Sequence, residues 1–165
     1  MRNNGHFKLE GYSDSDWAGN TIDRKFNTGF CTFVVGNLVT WKSKKQNLVA
    51  RSSAEVEYRA MTYTTCELTW LKTLLKDLGI ECTKPITSHC DNQAAMHIAA
   101  NPVLHERTKH IEIDCHFIRD QVHSKVLTTT YVRSGDQLAD ILIKVLPTAQ
   151  FDRLLSKLGS RRYLI

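Results

Sequence analysis

The chain has no apolar run approaching the roughly 18 residues needed to span a membrane. Its first residues, MRNNGHFKLEG, carry no apolar core of the kind a signal peptide requires. The expectation is an intracellular protein, cytoplasmic or nuclear, not secreted and with no membrane partner. No CxxC occurs, and the five cysteines (Cys31, Cys66, Cys82, Cys90 and Cys115) are an odd number. That argues against a disulfide framework or a zinc knuckle and fits reduced thiols. No linker, repeat or low-complexity tract divides the 165 residues. They are expected to form a single domain over 1–165, with a core over about 7–145. A chain of this size buries roughly 70% of its unfolded surface, enough to fold without metal or disulfide. The net charge of +5 is compatible with a polyanionic partner but does not require one.

What is present reads as a mixed α/β chain. Residues 7–14 alternate loosely between apolar and polar, like a short strand. Residues 30–35 and 38–41 are β-rich runs separated by Gly36-Asn37, a hairpin signal, so three strands form an antiparallel meander. The strongest helix covers 53–78. Ser52 and Glu55 make an S-x-x-E capping box at its start, and Gly79 stops it. Its apolar stripe runs Met61, Thr64, Leu68, Leu71, Leu75 and Leu78. Residues 86–90 read as a buried strand, 92–100 and 108–123 as helices, and 127–132 as a strand. Asp136 is expected to cap a helix through Val145, and a last helix covers 148–158. Meander strands followed by helix-linked strands predict a mixed sheet with helices on its faces.

The stretch YSDSDWAG ends the first strand on two carboxylates, Asp14 and Asp16. Strand propensity does not explain them, although a solvated turn would. In SSAEVEY, Glu55 occupies the capping-box position, whereas Glu57 extends the apolar stripe upstream and points towards the sheet. A lone carboxylate facing a core costs several kcal/mol unless paired or metal-bound; a snorkelling first-turn Glu favoured by the helix dipole is the alternative. Asp91 ends a second apolar strand, where ligands gather in α/β sheets, yet Asp91 or Asn92 could equally be a helix cap. Asp140 lies inside a helix that Asp136 already caps; a solvated helix face would also explain it.

The local sequence is more specific than any of these signals. YSDSDWAG, GNLVTWKSKKQ, ARSSAEVEYRAM, CDNQAA, NPVLHERTKHIEIDCHFIRD and QLADILIKVLP occur in this order over residues 7–158. Together they resemble the ribonuclease H domain of Ty1/copia-type retrotransposon Pol polyproteins. The resemblance implies an α/β ribonuclease H-like fold, a five-stranded mixed sheet in which an antiparallel meander is joined to two helix-linked parallel strands. It also implies a hybrid-specific ribonuclease whose catalytic and metal-binding carboxylates are Asp14, Glu57, Asp91 and Asp140. Four carboxylates in one pocket repel and must take up protons or cations. Oxygen-only ligands suit two Mg²⁺ or Mn²⁺ ions. By the same resemblance Asp14 would bridge both ions, Glu57 and Asp91 would hold one, and Asp140 the other. The implied partners are an RNA–DNA hybrid and the reverse transcriptase domain of the same polyprotein.

Substrate contacts rest on weaker grounds. Lys42, Lys44, Lys45 and Arg51, beside Trp41, lie between the hairpin and the main helix, where they would hold phosphates or form a solvated basic turn. Ser13 and Asn92 are candidates for contacting the nucleic acid backbone. The family's accessory His before the last Asp is missing from VRSGDQLA. His110, four residues from Asp114, is either a structural histidine or an accessory one. The chain reads RKFNTGF where the family usually has R-R-S-T-S-G, and ILIKVLP where it has I-x-T-K-A-L-P; neither change touches an acidic ligand. No reverse-transcriptase YxDD, integrase or protease motif accompanies the domain, so the chain reads as an excised fragment or a short, decayed reading frame. A non-catalytic nucleic-acid-binding remnant and a domesticated interaction module are the rival readings, and the intact carboxylate set argues against the first of them.

Overall fold

The structure, a computed structural model, describes residues 7–16, 25–47, 52–101 and 112–159. Five strands form one sheet: β1 (Leu9–Asp16), β2 (Asn27–Val34), β3 (Asn37–Lys45), β4 (Ile86–Cys90) and β5 (Leu127–Tyr131). Their spatial order is β3-β2-β1-β4-β5. The β1–β2 and β2–β3 pairs are antiparallel, while β1–β4 and β4–β5 are parallel. β1 is therefore the central strand, where the two kinds of pairing meet. The expected mixed sheet of a meander plus two parallel strands is the one observed.

The hairpin turns one residue earlier than its sequence signal. Val34 pairs with Asn37, so Val35 and Gly36 are the central residues, both at positive φ (52° and 76°). That backbone twist matches the flanking strands. β3 also runs on through Lys45 instead of ending near Trp41, so Lys42, Lys44 and Lys45 lie on a strand and not in a turn.

Helix α1 (Ser53–Asp77) crosses one face of the sheet. Ser52 caps it by accepting from the Glu55 amide at 3.2 Å, and Gly79, at φ 79°, marks its end. Glu55 itself faces Arg59 at 3.9 Å. Met61, Thr64, Leu68 and Leu71 of the stripe are buried, and Leu75 packs against the same core. The stripe runs out at Leu78, which is exposed. Thr64 is tolerated inside it because its hydroxyl donates to the Ala60 carbonyl at 2.8 Å, leaving its methyl group for packing. That methyl lies against Gly11 of β1: a Cβ there would sit 2.5 Å from Thr64 Cγ2. Only a glycine lets the helix lie this close to the central strand.

Helices α2 (Gln93–Ala100) and α3 (Glu112–His123) complete this side of the core. Residues 108–111, expected to begin α3, lie outside the described residues. The opposite face is covered over β1 and β2 by α4 (Thr148–Lys157) and the segment before it. Cys31, Phe33, Leu138 and Leu154 form a second apolar cluster there. The helix expected over 136–145 is not α-helical. Two 3₁₀ segments, Ser134–Asp136 and Leu138–Leu142, replace it. Gln137 between them is fully buried; its side chain donates to the Ser13 carbonyl (2.9 Å) and accepts from the Ala139 amide (3.3 Å). Gln137, not Asp136, caps the second segment, and Asp136 pairs instead with Lys157 at 2.8 Å. Among the described residues no helix is long and apolar enough to cross a membrane.

The second segment presses directly onto β2. A Cβ on Gly29 would lie 2.7 Å from Ile143 Cγ2 and 3.4 Å from the Ala139 carbonyl oxygen. Gly29→Ala is expected to destabilise the fold by about 1–3 kcal/mol, seen as a lower urea midpoint at unchanged denaturant slope.

Candidate active site

The sheet brings the four expected carboxylates to one end. The last β1–β4 pair is Tyr12 with His89. Asp14 stands two residues further along β1, and Asp91 directly follows Cys90, the last residue of β4. Asp14 lies within β1, paired with Gly29, two residues before the strand ends. At the start of α2 the Asn92 side chain accepts from the Ala95 amide at 2.9 Å. Asn92 is thus the cap, and Asp91 is left for other work.

Glu57 enters from the first turns of α1 and is buried against the sheet. Its Oε1 accepts from the Ser15 amide at 3.2 Å and from the Ser15 hydroxyl at 2.8 Å, while its Oε2 has no hydrogen-bond partner. The Glu57 and Asp91 carboxylates and the Cys90 thiol offer ligand atoms all within 4.8 Å of one another. Asp140 arrives from the opposite face on the 3₁₀ segment and is 3% exposed. Its position inside the fold excludes the solvated helix face.

One residue that the sequence reading did not single out completes the cluster. Lys144 Nζ lies 2.6 Å from Asp14 Oδ2 and 2.9 Å from Asp140 Oδ1. Its sequence signal is the i, i+4 spacing from Asp140. Burial alone would lower its pKa, but the bonds to Asp14 and Asp140 outweigh that and hold the ammonium charged above its usual range. Asp14 is shifted upwards: burial, Asp140 and Glu57 together push harder than Lys144 pulls down. One ammonium does not neutralise this concentration of carboxylates. Burial likewise raises Glu57 to about 7, with Asp91 adding to the rise, against the opposing bonds from Ser15 and Asp14. Burial pushes the Cys90 thiol up to about 12, so in the metal-free protein it is a protonated neighbour of these carboxylates.

The other named residues are more dispersed. Ser13 is fully buried, its carbonyl occupied by Gln137 and its hydroxyl inside the fold, so it offers no surface to a nucleic acid. Lys42 and Lys44 line a groove between β2, β3 and α1 with Phe30, Gln46, Tyr63 and Glu67. Lys45 falls on the other face with Trp41, which is 62% exposed. The basic residues are therefore two groups and not one patch. Arg51 and His110 lie outside the described residues. The five cysteines are all free, as expected.

No protein-family model matches the sequence. The chain is 46% identical over 154 residues to the retrovirus-related Pol polyprotein from transposon RE1 of Arabidopsis thaliana, covering 93% of this chain and 10% of that protein. It is 39% identical over 144 residues to the corresponding polyprotein from transposon TNT 1-94 of Nicotiana tabacum, covering 87% of this chain and 11% of the relative. The chain thus spans about a tenth of the length of these relatives. Among solved structures, LC11-RNase H1 in complex with an RNA/DNA hybrid superposes with a TM-score of 0.59 at 15% identity, over 90% of this chain and 99% of that one. At such identity the likeness is one of fold.

Glu57 is expected to make the metal-free protein less stable as pH rises from its ordinary 4.5 to about 7. Over that window the folded state holds a proton that the unfolded state has released, so the loss of stability reaches roughly 3 kcal/mol. Denaturant unfolding in EDTA at a series of pH values checks this. Glu57→Gln, which has no proton to release, should flatten the slope.

Proposed function

Because the chain belongs, as a ribonuclease H domain, to the copia-type retrotransposon Pol polyproteins, we propose that it is a metal-dependent endonuclease that hydrolyses the RNA strand of RNA–DNA hybrids. The observation that carries this reading is the convergence of Asp14, Glu57, Asp91 and Asp140 at one sheet end from four segments and both faces. The donor set fits divalent ions. Every ligand is a hard carboxylate oxygen, the buried Glu57 Oε2 lacks a partner, and an ammonium already lies between Asp14 and Asp140. Those four residues would hold two Mg²⁺ or Mn²⁺ ions. When bound, such a pair supplies an activated water and stabilisation of the leaving oxygen.

The chain's own residues do the rest. Ser15 locks one oxygen of Glu57 with two hydrogen bonds and so fixes which oxygen faces the site. Gln137 ties the Asp140 segment to β1 through the Ser13 carbonyl, which fixes Asp140 relative to Asp14. Lys42 and Lys44, on the strand next but one to β1, would hold phosphates of the hybrid. The exposed Tyr63 beside them offers a flat apolar surface to a sugar or base. A 2′-hydroxyl distinguishes the strand to be cut. A reverse transcriptase domain in the same polyprotein would present the hybrid.

Incubation with a labelled RNA–DNA hybrid and Mg²⁺ or Mn²⁺ should cut the RNA strand and leave a DNA duplex intact. Asp14→Asn should lower the rate at least about 10³-fold. A folded protein that cuts no hybrid with either metal would overturn this reading and leave hybrid binding as the activity to measure. For the groove, changing both Lys42 and Lys44 to Ala should reduce the salt dependence of hybrid affinity by a slope of about 2, roughly one per phosphate contact. Lys45→Ala, on the other face, should change it far less.

A further inference from the structure

We propose that Lys144 is a built-in competitor at the cation site: its ammonium holds Asp14 and Asp140 together while no divalent ion is present and must withdraw before one binds. This rests on the metal-dependent reading above and adds a residue to it. The Nζ atom is 2.6 Å from Asp14 Oδ2 and 2.9 Å from Asp140 Oδ1, and it reaches both carboxylates from one place. A hard divalent ion would take those same oxygens at about 2.0–2.6 Å. An ion so placed and an ammonium at hydrogen-bonding distance from the same two oxygens would occupy nearly the same space, with like charge. The two states therefore exclude each other.

The ammonium has a reason to be there and a way out. Asp14 and Asp140 are almost fully buried, and Glu57 is close behind them. Without a cation this group would have to take up protons or push apart. Lys144 supplies a positive charge from within the chain, so the domain can fold before any ion arrives. The side chain is 32% exposed, and the next residue, Val145, is completely exposed, so the lysine can swing to solvent without disturbing the core. Its four-carbon stem keeps the displaced ammonium near the carboxylates. The consequence is a lower apparent metal affinity than the carboxylates alone would give.

The test is calorimetric titration of Mn²⁺ into the wild-type chain, Lys144→Met and Lys144→Arg, with thermal melts of each in EDTA and in Mn²⁺. Lys144→Met should bind Mn²⁺ tighter by about tenfold or more. It should also melt lower than wild type in EDTA and gain more from Mn²⁺. Lys144→Arg keeps the charge and should stay within a few-fold of wild type. A merely structural lysine would lower the melting temperature equally in both conditions and leave affinity unchanged. Binding by Lys144→Met no tighter than wild type therefore overturns the proposal while leaving the metal reading intact, as does binding by Lys144→Arg as tight as that of Lys144→Met. Absence of Mn²⁺ binding by all three proteins removes the metal reading and this proposal together. Should Lys144→Met be unfolded in EDTA, its recovery in Mn²⁺ supports the competition, and failure to fold in either condition overturns it.

Discussion

Negative charge gathered at one end of β1 is the constraint on which the rest of the structure depends. Asp14, Glu57, Asp91 and Asp140 would repel one another in any compact arrangement. Here the first two and the last are nine-tenths or more buried. The fold holds them by neutralising part of the charge with Lys144 and by tying one Glu57 oxygen to Ser15. Burial first, and the neighbouring carboxylates after it, raise Asp14 and Glu57 above the ordinary carboxylate range. A site kept short of positive charge in this way is primed to take up a cation.

The backbone is arranged to reach that end from several directions. The central position of β1 gives it a parallel neighbour that ends just before Asp91 and an antiparallel one carrying Gly29. Gly11 admits α1 on one face, which brings Glu57 down, and Gly29 admits the 3₁₀ segment on the other, which brings Asp140 across. Two missing side chains thus set the distances at which four charged ones meet. Gln137 strengthens the second approach because it is fully buried with both ends of its amide bonded.

The groove beside β3 is a separate feature. It places two lysines of β3 beside a half-exposed tyrosine of α1, whereas Trp41 and Lys45 look the other way. Strand alternation makes this division. In a turn the same residues would have formed one basic cluster. Lys42 and Lys44 share the α1 side of the sheet with a concave surface.

Much of this was legible in the residues. The alternation of 7–14, the capping box at Ser52, the stripe from Met61 to Leu71 and the stop at Gly79 are local signals with local causes, and each element formed where its pattern lay. The inward position of Glu57 followed from helical periodicity alone. Other features had no local signal. The segment after Asp136 carries helix-like spacing but becomes 3₁₀, because a buried Gln137 bonds across to Ser13, a partner 124 positions away. Ser13 looked available beside Asp14 and is buried, because the α1 side of β1 is closed by a helix whose approach depends on Gly11. Lys144 carried only a spacing to Asp140, and its contact with Asp14 exists because the sheet and the 3₁₀ segment meet. By itself the sequence determined the strands, the main helix and which residues carry charge, since propensity and periodicity act within a few residues. Only the tertiary structure decided which charges meet, because the interactions that join Asp14, Glu57, Asp140 and Lys144 act between segments that chain order leaves far apart.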